Sequence, residues 1–514
     1  MKKGIVFIVV LMFILSLSGC GTDAASDAPA GAAGDRVRSD SITFAQGADI
    51  TSLDPTIGRQ LRATTVTANI FDRLVEFDEN LDIAPSLAES WERLSDTSIK
   101  FFLRQGVRFH NGDPFTAADV KFSFERAMAS PHSARNVAWM ASVEVIDDFT
   151  VIVHSHEPFG PFLASLTIPP TAIVPKGVVE ADEEGFALHP IGTGPYKFLE
   201  WRRGEFARLV ANDDHWRGAP ETRYITMRVV PEASQRTIML QTGEIDIAYE
   251  VLPSDVARIL ADENLNLLTG PSFKTIEIIF NTISDGPVGN RLVRQAIERA
   301  IDKQEIVDYV VFGLGVPGSL LVAPISFGFS DIVPANKFDL EEARRLMEEA
   351  GFPDGFSIEL WTYAEQNFVE LAQVVQNQLA QIDIDVTIVI MEYGSLLAAI
   401  GDGADYDMQL TFWNSLTGDA DFLLTAALYS TSGGNDARYN NPEVDRLILE
   451  ARNTVDPARR QEIYNELFLI IAYDTPQFSI YYEDTIVATT RNIENFRLNP
   501  MGFHFFRDVI AYEN

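Results

Sequence analysis

An α/β fold of more than one lobe is what this chain predicts, on three observations. Strand-like and helix-like segments interleave along its whole length instead of separating into blocks, which favours α/β lobes over a sandwich or a bundle. No fixed-period repeat runs through it, so a solenoid or propeller is not indicated. Its 514 residues, 46% hydrophobic and 22% charged, suffice for about two to four globular domains.

The elements follow from local spacing. Ile99, Phe101 and Leu103 alternate with Lys100 and Arg104, the period of a half-buried strand, and Val151 and Val153 repeat the pattern. Asn111-Gly112 marks a tight turn. Thr116 precedes Asp119 by the capping-box spacing and opens a helix through Arg126. Asn290 caps a helix whose Leu292, Val293, Ala296, Ile297, Ala300 and Ile301 form one apolar face. Asp339 with Glu342 opens another, which Gly351 closes. Asn441-Pro442 and Asp456-Pro457 each set a cap residue before a proline suited to the first helical turn.

The N-terminus has its own logic. Met1-Lys2-Lys3 is basic, and Ile5 to Leu17 is apolar except for Ser16. That run is shorter than the about 20 residues a membrane-crossing helix needs. It reads as a secretory signal peptide over residues 1–19. Leu17-Ser18-Gly19-Cys20 resembles the lipobox of bacterial lipoproteins, in which the cysteine is acylated and becomes the new N-terminus. Cys20 is the only cysteine, so it is the expected lipid attachment point, and no disulfide can form within the chain. Residues 20–39 read as lipidated cysteine and flexible tether, and the Gly-, Ala- and Ser-rich stretch from Gly21 to Asp35 has a mean reach of roughly 20–25 Å. The expected location is outside the cytoplasm, anchored by lipid, either in a periplasmic space or on the outer face of the cell membrane. A net charge of −34 speaks against nucleic acid and anionic lipid surfaces as partners.

Phe102-Leu103-Arg104-Gln105-Gly106-Val107-Arg108-Phe109-His110-Asn111-Gly112, followed by Phe115-Thr116-Ala117-Ala118-Asp119-Val120, resembles the signature of the family 5 solute-binding proteins of bacterial ABC importers. Further matches follow in family order: Leu53-Asp54-Pro55, Leu87-Ala88-Glu89-Ser90-Trp91, Gly192-Thr193-Gly194-Pro195-Tyr196, Val293-Arg294-Gln295-Ala296-Ile297, the Ala350 to Phe356 stretch, and Tyr439-Asn440-Asn441-Pro442-Glu443-Val444-Asp445. The resemblance covers the chain beyond the tether and is strongest to dipeptide- and glutathione-binding members. It implies a two-lobe, periplasmic-binding-protein-like fold (type II, cluster C) with a hinge and an extra inserted subdomain. On that basis residues 40–279 with 483–514 form the larger lobe, 85–191 the inserted subdomain, and 280–482 the second lobe. It also implies a monomer that captures a short peptide, glutathione-like among the options, and delivers it to an ABC permease in the cytoplasmic membrane, with no cofactor. A nickel complex, an opine or an oligosaccharide is the alternative cargo.

The site is expected where Leu410-Thr411-Phe412-Trp413 runs into the polar loop Asn414 to Asp421. An indole beside carboxylates offers a flat apolar wall next to acceptors for a cationic group. In dipeptide-binding relatives an aspartate three residues after the tryptophan holds the ligand amine; here that position is Leu416. Thr417-Gly418-Asp419-Ala420-Asp421 resembles glutathione-binding relatives instead, which moves the expected amine partner to Asp419 or Asp421, with Thr417 beside them. Either aspartate can equally be a cap of the helix that follows. Ala48 and Asp49 lie in a loop that reaches the ligand in this family. Arg59, with Arg62 just downstream, and Arg438 are candidate carboxylate partners, with surface salt bridging as the favoured alternative for each.

Enzymatic readings fare poorly. Gly192-Thr193-Gly194 lacks a third glycine and leads into a strand-like segment, whereas a phosphate cradle needs a helix start. The histidines contain no HExxH pattern, and no metal site is expected. There is no Gly-x-Ser-x-Gly elbow. A secreted hydrolase built on scattered acids is the remaining rival class, and the chain is read as a binding protein rather than an enzyme.

Overall fold

A computed structural model describes residues 36–57, 61–335 and 337–513. The expected signal peptide, Cys20 and most of the tether lie outside the described residues. Residues 38–514 form one compact unit.

An 11-stranded sheet organises the molecule. Ten of its strands, numbered in chain order, are β1 (Ser41–Gln46), β2 (Tyr196–Arg202), β3 (Phe206–Ala211), β4 (Tyr224–Val229), β5 (Ile247–Tyr249), β6 (Leu265–Phe280), β7 (Phe356–Tyr363), β8 (Ile384–Met391), β9 (Met408–Asn414) and β10 (Gln477–Thr490). Their order across the sheet is β8-β7-β9-β6-β10-β5-β1-β4-β3-β2, and the short strand Gly315–Pro317 joins β10. At one end β7 runs parallel to both β8 and β9. At the other, β1 runs parallel to β4 and β5. Such parallel neighbours need helical crossovers, which cover the sheet faces and give the α/β character.

Two strands tie the halves together. β6 and β10 are antiparallel over most of their lengths, and their ladder shifts register between Pro271 and Thr275. On one side of that break Val487 packs with Phe44, Leu209, Ile225 and Phe506, and Leu268 packs against the same cluster. On the other side Ile276, Ile278, Phe478 and Ile480 pack with Val293, Ile297, Leu360 and Leu410. Two apolar cores strung on two shared strands are the two-lobe type II fold. The division expected between Ile279 and Phe280 falls inside an unbroken ladder of β6 with β9, which pairs Lys274 to Phe280 with Asn414 to Met408. The side chains change core instead at Pro271–Thr275.

A separate four-stranded antiparallel sheet, ordered Ala88–Ser95, Ser98–Leu103, Thr150–Ser155 and Met140–Asp147, carries the inserted region. Its core combines Ile99, Phe101, Leu103, Val151 and Val153 with Val120 and Phe124 of the helix Ala117–Ala129. The Thr116 N–H donates to Asp119 Oδ2 at 2.9 Å, as the spacing predicts. Asn290, Asp339, Asn441 and Asp456 all accept helix N–H groups, and Gly351 closes its helix at φ 91°. Three helices, α1 (Ala420–Leu428), α2 (Pro442–Asn453) and α3 (Pro457–Asp474), pack Leu423, Leu424, Leu447, Ile448, Ile463 and Leu467 into a further core beside β6 and β9.

Candidate ligand cleft

β9 ends at Asn414, opposite Lys274 in the ladder, and Trp413 lies opposite Thr275. Parallel sheets of this kind bind ligands beyond the carboxyl ends of their strands. The chain leaves β9 as a tight loop. Gly418 has φ 62°, and a Cβ there would lie 2.8 Å from Cζ of Phe273, so glycine answers both the backbone and the close approach. A bridge between Phe327 and Asp419 then fixes the start of α1.

Three consecutive residues at this strand end carry buried polar atoms with no hydrogen-bond partner among the described residues: Trp413 Nε1, Asn414 Oδ1 and Ser415 Oγ. Buried polar groups are nearly always paired. These three are a donor, an acceptor and a hydroxyl that can do either, with Trp413 and Asn414 on opposite faces of β9 as successive strand residues are. Trp413 is half-buried and packs against the helical core. The loop after α1 closes over its indole, where a Cβ on Gly434 would sit 3.2 Å from Cη2.

The two aspartates are committed elsewhere. Asp419 is 4% exposed and caps α1 by accepting from the Asp421 N–H at 2.9 Å. Arg460 of α3 donates to it twice, at 2.9 and 2.7 Å. Burial pushes the Asp419 carboxyl up, against the pull of Arg460. Asp421 is 5% exposed and takes Arg452 of α2 through Nε at 3.0 Å and NH2 at 3.1 Å. In this structure each carboxylate engages an arginine, and Asp419 also takes the helix-cap role that was the alternative reading. Thr417 is buried, and its hydroxyl serves the turn by accepting from the Asp419 N–H at 3.3 Å.

The remaining expected residues sit in bracing roles. The Ala48 carbonyl accepts from Gln46 Nε2 at 2.9 Å. Asp49 accepts from Trp201 Nε1 at 3.0 Å and from the Gly204 N–H at 2.7 Å, which ties the loop after β1 to the β2–β3 hairpin. Arg438, at φ 50°, donates to the Ala404 carbonyl at 2.5 Å and lies over the Tyr406 ring. Arg59 and the side chain of Arg62 lie outside the described residues. Trp413 and Thr417 thus flank the same loop after β9, while Asp49 and Arg438 are held by other partners.

Leu416 faces the inserted region. It packs against Ala127, Val137 and Ile168, an apolar patch on the other side of the cleft. Sequence reasoning passed over Lys274. It sits where β6 crosses between lobes, with Nζ 2.6 Å from Glu483 Oε2 on β10 and 5.0 Å from the centre of the Phe412 ring. A lone lysine in the apolar run Phe273-Lys274-Thr275-Ile276 was the available signal. Among the described residues, no helix is long and apolar enough to cross a membrane.

The family model for bacterial extracellular solute-binding proteins, family 5, matches residues 82–435. The glutathione-binding protein GsiB of Salmonella paratyphi A is 31% identical over 481 residues, covering 90% of this chain and 93% of that protein. Among solved structures, the periplasmic binding protein DppA of Helicobacter pylori, in complex with the peptide STSA, superimposes with a TM-score of 0.80 at 27% identity over 93% of this chain and 99% of that one. NikZ of Campylobacter jejuni, in complex with Ni(L-His), gives 0.79 at 26% identity over 89% of this chain and 95% of that one.

Proposed function

The chain belongs to family 5 of the bacterial extracellular solute-binding proteins, the binding components of ABC importers, and on that premise we propose that it captures a short peptide between its lobes and delivers it to a membrane permease. The observation that carries the peptide reading is the run of three unpartnered buried groups, Trp413 Nε1, Asn414 Oδ1 and Ser415 Oγ. An extended peptide backbone supplies both C=O and N–H groups that can pair with those of them that face the cleft, and the indole supplies an apolar wall. A glutathione-like tripeptide is the first choice, because GsiB is a glutathione-binding protein.

The mechanism is a population shift. A ligand that touches both lobes only when they are closed stabilises the closed form by its differential affinity. Hinge motion is assigned to the break at Pro271–Thr275 and to Tyr482–Glu483 opposite it, since a few residues at strand crossings can absorb a rotation. The ligand leaves chemically unchanged, and Cys20 carries the lipid that keeps the body near its permease.

The test is a binding panel by calorimetry: glutathione, dipeptides to tetrapeptides, and the nickel–histidine complex, together with mass spectrometry of whatever small molecule co-purifies. Tight binding of a peptide with intact recovery supports the proposal. Binding of the nickel complex alone moves the cargo to the metal-chelate class. Cleavage of a peptide overturns the binding role.

A further inference from the structure

Besides the packing of Leu416, the inserted region meets the second lobe at a tight backbone contact. Beyond the strand Thr150–Ser155, residues 157–160 approach the turn between α2 and α3. The Gly160 N–H donates to the Arg452 carbonyl at 2.7 Å. Asn453 Nδ2 donates to Glu157 Oε2 at 3.4 Å. A Cβ on Gly160 would lie 2.4 Å from the Thr454 carbonyl oxygen and 2.7 Å from Cδ and Nε of Arg460. Real Cβ atoms do not come so close, and these neighbours cannot yield: one is backbone, and the other is a guanidinium arm pinned by Asp419.

Gly160 does not have the left-handed φ that favours glycine. Its own backbone admits a side chain; its neighbour across the lobes does not. Glycine here answers a contact between lobes rather than a turn. The contact also lands on a consequential place. Arg452 and Arg460 are the two arginines that hold Asp421 and Asp419 at the start of α1, directly after the Trp413–Gly418 loop. Leu416 of that loop meets Ala127, Val137 and Ile168 of the same inserted region.

We propose that Gly160 is a latch position for lobe closure. Its missing side chain lets the inserted subdomain seat on the α2–α3 turn, and that seating brings Leu416 onto its apolar patch and closes the cleft beside Trp413. The proposal rests on the two-lobe trap described above. It adds a residue outside the ligand pocket that governs how often the trap shuts.

The test uses the full chain with Cys20→Ser, which removes the only native cysteine, and with Glu157→Cys and Asn453→Cys placed across the contact. A short bismaleimide reports closure as cross-linking, with no ligand needed. Cross-linked protein should have a smaller radius of gyration in solution scattering than uncross-linked protein. Adding Gly160→Val should slow cross-linking about tenfold, the effect of forcing an overpacked contact, with an unchanged thermal melt; Gly160→Ala should fall between. Cross-linking at the parent rate in a normally melting Gly160→Val protein overturns the latch. A lowered melt in both Gly160 variants also overturns it, because the contact would then be static packing. Identical scattering before and after cross-linking overturns the trap itself, whatever the glycine does.

Discussion

Arg460 grips both oxygens of Asp419, with NH1 2.9 Å from Oδ2 and NH2 2.7 Å from Oδ1, and both side chains are almost completely buried. The same carboxylate caps α1, and the Tyr464 hydroxyl reaches it at 3.4 Å. This bidentate pair joins α1 to α3 and sets the loop that presents Trp413. Asp419 therefore belongs to the frame of the cleft.

Removing one partner of that pair leaves a buried charge uncompensated, which typically costs about 3–5 kcal/mol. Asp419→Ala should lower the midpoint of chemical denaturation by that order. Asp419→Asn should lower it as well, although asparagine caps a helix as well as aspartate does, because Arg460 loses its anion either way. An unchanged midpoint for Asp419→Asn would reduce the pair to a cap.

How much of this was legible in the sequence depended on range. Thr116 with Asp119, Asn290, Asp339, Asn441 and Asp456 were readable because a cap and the N–H it accepts lie two or three residues apart. The strand alternation of Ile99 to Leu103 was readable for the same reason. Trp413 stood out by its position at the end of an apolar strand. The partners of Asp419 and Asp421 were not readable: Arg460 and Arg452 lie on other helices, and only the packing of α1 against α2 and α3 brings them in. The partner of Asp49 was not readable either, since the Trp201 indole that it holds belongs to a distant hairpin. The crossing at Pro271–Thr275 is a register shift between two strands, and a register shift leaves no mark in either strand alone.

Trp413 offers two separable contributions, a face and a donor. Trp413→Ala should weaken ligand binding by roughly 1–3 kcal/mol, as expected for a packed aromatic contact. Trp413→Phe keeps an apolar ring and removes Nε1, so it isolates the unpartnered donor at about 0.5–1.5 kcal/mol. Calorimetry on both variants reads the split. Equal affinity in Trp413→Phe and wild type would assign the tryptophan to packing alone.

His504 gives a pH signature of known sign. It is fully buried among Phe44, Tyr249 and Phe496, and burial lowers its pKa to about 3. In the unfolded chain the value is about 6.5. Between these limits only the unfolded chain takes up the proton, so the stability tied to a neutral His504 is complete above pH 6.5 and drains as pH falls toward 3. Glu277 acts in the opposite sense: burial raises its carboxyl to about 7, so its contribution fades as pH rises from the ordinary carboxylate range through 7. Melting temperatures of wild type and His504→Phe should therefore diverge as pH falls below 6.5, with the variant holding up better in acid. Parallel pH profiles would mean that the ring takes up its proton in the folded state at the usual pH.

Cys20→Ser tests the anchor. If Cys20 carries the proposed lipid, the variant should fold and bind as wild type does, yet leave the membrane fraction. One acyl chain binds membrane only marginally, so more than one is expected on the native protein. Retention of the variant with membranes at high salt would remove the lipid reading.

Leu416 separates two ways of building this cleft. An aspartate at this position would add a carboxylate to the loop beside Asp419 and Asp421, which engage arginines. In this structure, however, the side chain meets Ala127, Val137 and Ile168, which are all nearly inaccessible. Leu416 is half-buried, so a carboxylate turned onto such a patch loses part of its hydration without gaining a partner, which is disfavoured. Leu416→Asp should therefore oppose closure and weaken binding of every ligand, charged or not, while Leu416→Met, similar in volume and apolar, should cost little. The ligand's own charge makes the comparison decisive. If Leu416→Asp gains affinity for a dipeptide with a free amine and loses none for its N-acetylated form, residue 416 faces the ligand rather than the inserted subdomain. A uniform loss across both, with scattering shifted toward the open form, assigns Leu416 to the seal between the lobes.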